Sequence, residues 1–250
     1  MAITGPSEKK RGSTPVLTVE NVRECQVIER LNRFVVRAKI AGKQHPLHIN
    51  NTGRLEEFLV RGRNAFCFMT ESTEKTEGRL FAVEDMGLGA LIDTQIQMAA
   101  FERLVEKGRI PWLKGCTIQK RNPRLGSSVL DYLLLCEKKA VFVEVKSAVL
   151  RVGSFATYPD CPTTRGQRHV QELTQYSKKG GDAAIVFMSA LPGVSAFKPN
   201  KAGDPLLKDY LRDAFEQGVN IKAVGLFFDP KDNQVHLFNP DLPVVLDGTS

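Results

Sequence analysis

The chain has 250 residues, 42% of them hydrophobic, and a formal net charge of +7. That is enough apolar material to build one large or two modest domain cores, which excludes a disordered chain. The positive balance favours a polyanionic partner, because a basic surface displaces condensed counterions from nucleic acid. No run approaches the roughly 18 apolar residues of a membrane span.

The opening residues carry Gly5, Pro6, Gly12 and the cluster Lys9-Lys10-Arg11, so residues 1–14 are expected to form a mobile basic tail. They lack the apolar core of a signal peptide. Five cysteines, Cys25, Cys67, Cys116, Cys136 and Cys161, are scattered without C-x-x-C spacing and read as reduced packing residues. A cytoplasmic protein is the expectation.

Short strand-like stretches follow at 16–19, 24–29, 34–40, 45–49, 65–69 and 80–83, with a hairpin signal at Ala41-Gly42-Lys43. Several short strands at this spacing predict a small barrel, compatible with an OB-like fold, over residues 15–84. Such barrels hold single strands on a basic groove and stack bases on aromatics. Arg33, Arg37 and Lys39, with Arg30 and Lys43, supply charge, while Phe34 reads as a core residue or a stacking platform. Asn50-Asn51-Thr52-Gly53-Arg54 offers turn residues, a helix start at Thr52 or Gly53, and either a structural role or a phosphate contact.

The composition changes near Glu84, where Gly87 and Gly89 predict a hinge, and residues 85–250 form the second domain. Asp93 caps an amphipathic helix over 94–107 closed by Gly108. Strands are expected at 117–121, 129–135 and 140–149. The segment 151–162 reads as a loop, and a helix begins at Thr163 or Thr164 and runs to about Tyr176. A strand at 182–188 parallel to the preceding sheet, a helix at 204–216, and strands at 219–228 and 234–238 complete an α/β order.

Within the apolar run 140–149 stand Glu144 and Lys146. Charges there must be paired, bound to metal or shifted in pKa, because an isolated buried charge is costly. In a strand the two side chains point the same way, about 6 to 7 Å apart. A loop of even length centred between Glu137 and Lys138 places Asp131 directly opposite Glu144; an odd loop turns Glu144 to the other face. Two carboxylates and an ammonium at one end of a sheet suit a hard divalent ion with oxygen ligands and the cleavage of phosphodiesters. The bland reading is a surface ion pair on an edge strand.

Leu130-Asp131-Tyr132, Val143-Glu144-Val145-Lys146-Ser147, Tyr158-Pro159-Asp160 and Thr163-Thr164-Arg165-Gly166-Gln167-Arg168-His169 resemble, in order, the motifs of the sugar fermentation stimulation protein family. The resemblance implies an N-terminal OB-like β-barrel followed by a PD-(D/E)XK-nuclease-like α/β domain with a mixed central sheet, and a DNA-binding protein with nuclease chemistry. Asp131, Glu144 and Lys146 take the catalytic positions, with Asp131 and Glu144 as ligands of Mg²⁺ or Mn²⁺. In such folds the first helix often turns an acid toward the metal, and Glu102 stands nearest to that place. A helix start is a ready phosphate site, and Arg165, Gln167 and His169 are the expected phosphate contacts there. The substrate is single- or double-stranded DNA, with RNA and a homodimer left open. The alternative keeps the fold without the chemistry, as a DNA-binding regulator of sugar metabolism genes. No glycine-rich cofactor loop or nucleophile elbow points to a small-molecule enzyme.

Overall fold

The computed structural model describes residues 12–70 and 75–246. Lys9-Lys10-Arg11, and with it most of the expected tail, lies outside the described residues. Strand β1 (Thr14–Thr18) leads to β2 (Val22–Arg30), β3 (Val35–Ile40), β4 (Lys43–His48), β5 (Asn64–Met69) and β6 (Gly78–Asp85). On β3, Val36, Ala38 and Ile40 are buried and Lys39 is exposed, the period of two that a strand with one face on a core requires. Strand β2 pairs with β3 and β5, β3 with β4, and β5 with β6. A parallel pairing of Leu47 with Gly78 and His48 with Arg79 closes the ring. The five strands β2 to β6 form the expected OB-like barrel.

Strand β7 (Leu88–Leu91) folds back along β6 through a turn at Met86-Gly87. Helix α1 (Thr94–Glu106) follows, its first turn closed by the Asp93 carboxylate, which accepts from the Ile96 N–H at 2.9 Å. Then come β8 (Cys116–Arg121), the short β9 (Arg124–Leu125) and β10 (Ser128–Val129), β11 (Tyr132–Cys136) and β12 (Lys139–Ser147). A hairpin of β13 (Leu150–Val152) and β14 (Phe155–Tyr158) precedes α2 (Thr164–Lys178). The chain ends with β15 (Asp182–Ser189), β16 (Ala196–Pro199), α3 (Pro205–Glu216), β17 (Asn220–Asp229) and β18 (Gln234–Leu242). In the second sheet region the order is β7-β17-β15-β12-β11-β8. Strand β15 runs parallel to β12 and β17, while β11 is antiparallel to β12 and β8, so the sheet is mixed as expected.

Helices α1 and α2 cover opposite faces of this sheet. Phe101 and Glu102 of α1 meet Tyr132, at a ring distance of 5.3 Å and through a hydroxyl bond of 2.9 Å. Tyr176 and His169 of α2 meet Phe142 and Glu144 on the other face. Alternation along β12 thus decides which charged groups share a chamber.

Five expectations are corrected, the first being the loop expected at 151–162, where the chain instead forms the β13–β14 hairpin. The strand at 16–19 is not part of the barrel: β1 pairs with β18, Thr14 opposite Leu237 and Thr18 opposite Gln234, a contact between chain ends that no local pattern announces. Gly87 and Gly89 are not a hinge, since β7 is hydrogen-bonded to β6 and to β17; a Cβ at Gly89 would lie 2.9 Å from the Phe228 ring, so the residue is small to let the strands approach. Residues 52–54 start no helix. Cys116 and Cys136, opposed in the β8–β11 pairing, form a disulfide, whereas Cys25, Cys67 and Cys161 are free. Among the described residues no helix is long and apolar enough to cross a membrane.

Candidate metal and phosphate site

The β11–β12 hairpin turns through Glu137 and Lys138, with Cys136 opposite Lys139 and Tyr132 opposite Val143. That even loop brings Asp131, one residue before β11, beside Glu144, as the spacing predicts. Asp131 Oδ2 accepts from the Val145 N–H at 2.7 Å. Glu144 Oε1 accepts from Lys146 Nζ and, at 2.6 Å, from His169 Nδ1 on α2. Glu144 Oε2 is buried and has no hydrogen-bond partner among the described residues. An orphaned carboxylate oxygen is costly in an interior, and a cation would satisfy it.

These groups open onto a cavity of about 380 Å³, lined by Asp131, Glu144, Lys146, Tyr158, Asp160 and, from the barrel, Arg33. The barrel reaches the sheet through the β4–β5 loop. Asn50 accepts from the Thr94 N–H at 2.9 Å and donates to Asp93 at 3.0 Å, tying the loop to the start of α1. Asn51 donates to Ile92 O at 3.1 Å and accepts from the Gly53 N–H at 2.9 Å. The Asp160 carboxylate receives the Arg54 N–H and, at 3.3 Å, the Leu55 N–H. A Cβ at Gly53 would fall 2.6 Å from that carboxylate, so only glycine admits the approach.

Burial, and then Glu144 close by, push the Asp131 carboxyl up from 3.8 to about 6, against the Val145 N–H and the charges of Lys146 and His169. Burial also pushes Glu144 up, but Lys146 and His169 outweigh it and hold this acid below its ordinary value. Burial pushes Lys146 down, and Glu144, Tyr158 and Asp131 more than restore it, so the ammonium is kept charged. Two adjacent acids driven in opposite directions are the pattern of a coupled pair that a proton or a cation must bridge.

The structure brings Asp131, Glu144 and Lys146 together and adds Arg33 and Arg165 to the same cavity wall. The remaining expected contacts lie elsewhere. Gln167 does not face the cavity: its amide donates to both oxygens of Asp204, at 3.1 and 2.9 Å, and Asp204 caps α3. His169 is 1% exposed and touches Glu144 and Arg165, so it positions the acid and does not meet a phosphate itself. Arg37 is ion-paired with Glu29 at 2.5 Å on the barrel surface. Lys39 borders a separate barrel cavity of about 400 Å³ with Gln26, Gln44 and Arg61. Glu102 is on the α1 face, bound to Arg121 by two bonds of 2.7 Å and to the Tyr132 hydroxyl, and cannot join Asp131.

Sequence reasoning gave no role to Tyr158 or Asp160, although both stand in a motif that carries the family resemblance. A second group, Asp229, Asp232 and His236 at the β17–β18 turn, gathers ligand atoms within 4.8 Å of one another and gave no sequence signal, its members being split by ordinary turn residues.

Residues 28–92 match the model described as SfsA N-terminal OB domain, and residues 95–232 match the Sugar fermentation stimulation protein RE domain. The Sugar fermentation stimulation protein homolog of Pyrococcus furiosus is 48% identical over 214 residues, covering 86% of this chain and 93% of that one. The homolog of Archaeoglobus fulgidus is 41% identical, covering 91% and 98%. The solved structure of Pyrococcus furiosus SfsA in complex with Ca²⁺ superposes with a TM-score of 0.89 at 44% identity, covering 93% of this chain and 99% of that one.

Proposed function

The chain belongs to the sugar fermentation stimulation protein family, and from its geometry we propose that it is a DNA-binding nuclease that hydrolyses phosphodiesters with Mg²⁺ or Mn²⁺ in the cytoplasm. The observation that carries this reading is the unpartnered Glu144 Oε2, buried beside Asp131 and Lys146 in a cavity shared with an OB barrel. The donor set fits a hard divalent ion, which prefers carboxylate oxygens, and the relative solved with Ca²⁺ supports the same class of metal.

Asp131 and Glu144 would hold the cation, which when bound supplies Lewis-acid activation of water and phosphate. Lys146, charged and 13% exposed at its side chain, stands where it can steady the negative charge that develops on the phosphate oxygens. His169 fixes the Glu144 carboxylate through Nδ1 and leaves Oε2 for the metal. Arg165 and Arg33, on two sides of the cavity, would bind the flanking phosphates and hold the strand in line.

A second reading, a DNA-binding regulator without catalysis, draws on Lys146 Nζ being bound to Glu144 and not standing free in the cavity. Cleavage of single- and double-stranded oligonucleotides with Mg²⁺ or Mn²⁺ separates the two. The wild type should cut, and Asp131→Asn and Lys146→Ala should each lose on the order of 10²-fold or more of the rate, the scale of removing one transition-state stabiliser. Equal cutting by all three proteins would reject this site, and cutting by none would favour the regulator.

A further inference from the structure

The β2–β3 turn presents two large apolar side chains to solvent beside the cavity: Leu31 is 42% and Phe34 48% exposed. Single exposed hydrophobics are ordinary. These two share one four-residue turn, and that turn is held firmly. Leu31 and Asn32 N–H groups both donate to Val35 O, at 2.9 and 3.3 Å, and the Phe34 N–H donates to Asn32 Oδ1 at 2.8 Å. The Arg30 guanidinium spends its donors on backbone carbonyls of the turn, Asn32 at 3.0 Å and Arg33 at 2.9 Å, and on those of the cavity loop, Gly53 at 2.8 Å and Arg54. One side chain therefore sets the turn against the rim of the cavity.

Between Leu31 and Phe34 stands Arg33, which lines the cavity and lies 5.9 Å from the Phe34 ring centroid. An aromatic face, an aliphatic neighbour and a guanidinium on a rigid turn are the parts of a base-stacking platform with a phosphate contact. Rigidity matters because a platform ordered in advance loses less freedom on binding.

We propose that Phe34, backed by Leu31, stacks an unpaired nucleobase of the strand whose phosphate Arg33 guides into the cavity, so that the protein selects single-stranded nucleic acid over paired duplex. This rests on the nucleic-acid reading above and adds the form of the substrate. The positive charge around the turn, from Arg33 and Arg54, complements that strand, and a buried base in an intact duplex offers no face to the ring.

The test is oligonucleotide binding in Ca²⁺ by the full chain, with single strands and blunt duplexes compared for wild type, Phe34→Ala and Phe34→Trp. Phe34→Ala should weaken single-strand binding about 5- to 150-fold, the range of one base-aromatic stack, with duplex binding unchanged. Phe34→Trp should retain binding, and its added emission should be quenched by the single strand. Unchanged single-strand binding by Phe34→Ala would overturn this proposal alone, as would loss of self-association in that variant with binding intact. Wild-type protein that binds neither form would overturn the nucleic-acid reading together with it.

Discussion

Among the described residues, two places gather the residue types of a metal site, and they differ in their surroundings. At the β17–β18 turn, Asp229 accepts from the Lys231 N–H at 2.9 Å and Asp232 from the Gln234 N–H at 3.1 Å. His236 lies between Asp232, at 3.0 Å, and Ser13, at 3.3 Å, and stacks on Phe227. Those carboxylates close their own turn, as aspartates two residues from an amide commonly do. In the sheet, Glu144 takes both protein donors on one oxygen, keeps the other without one, and stands next to a second acid and an ammonium at the wall of a cavity. Composition is shared; the surroundings separate the two, since the sheet acids open onto the cavity of about 380 Å³ and the turn residues line neither of the two cavities described above.

The sharpest way to break the contrast is to remove the support of the sheet acid. His169→Ala should lower divalent-metal affinity roughly 10- to 100-fold, the usual cost of losing a group that orients a ligand, as read by titration of metal into the folded variant. If Asp232→Ala lowered it equally, the contrast would fail.

A second effect concerns metal-free stability. The folded chain holds a proton on Asp131 up to about pH 6, where the unfolded chain has released it near 3.8. The stability from this group is therefore complete below 3.8 and lost as pH rises through 6. Asp131→Asn removes the titration, so with chelator present it should be more stable than wild type by about 1–3 kcal/mol at pH 8. The gain should shrink as pH is lowered toward 4, as followed by denaturant midpoints. A destabilised variant at pH 8 would show that the acid is not strained.

The smallest effect belongs to the turn. Asp232→Ala should cost about 1 kcal/mol of stability, through loss of the bonds to the Gln234 N–H and to His236, and leave cleavage of nucleic acid unchanged.

The core of the candidate site was legible because parity decides it: an even loop at Glu137-Lys138 suffices to set Asp131 against Glu144, and alternation puts Lys146 on the same face. The helices were legible for a similar reason, since Asp93, Thr163 and Asp204 each cap the start that their residue type suggests. What escaped depends on distant partners. Gln167 looks like a phosphate ligand until Asp204, 37 residues on, claims its amide. The disulfide required knowing that β8 pairs with β11 across a register shift between Leu133 and Leu134. Phe34 has the composition of a core residue, and its exposure follows from a strand that begins only at Val35.

The continuity of the sheet through β7 has a thermodynamic consequence. Phe66 and Phe81 of the barrel close on Phe228 of β17, with ring centroids 5.2 and 4.9 Å apart, and β1 laces the N-terminal end of the chain to β18. Separating the two halves would wet that aromatic cluster and leave hydrogen-bonding edges bare, so neither half owns a complete folding unit. Cooperativity here is a property of the undivided polypeptide, and the boundary between its domains is not one along which it melts.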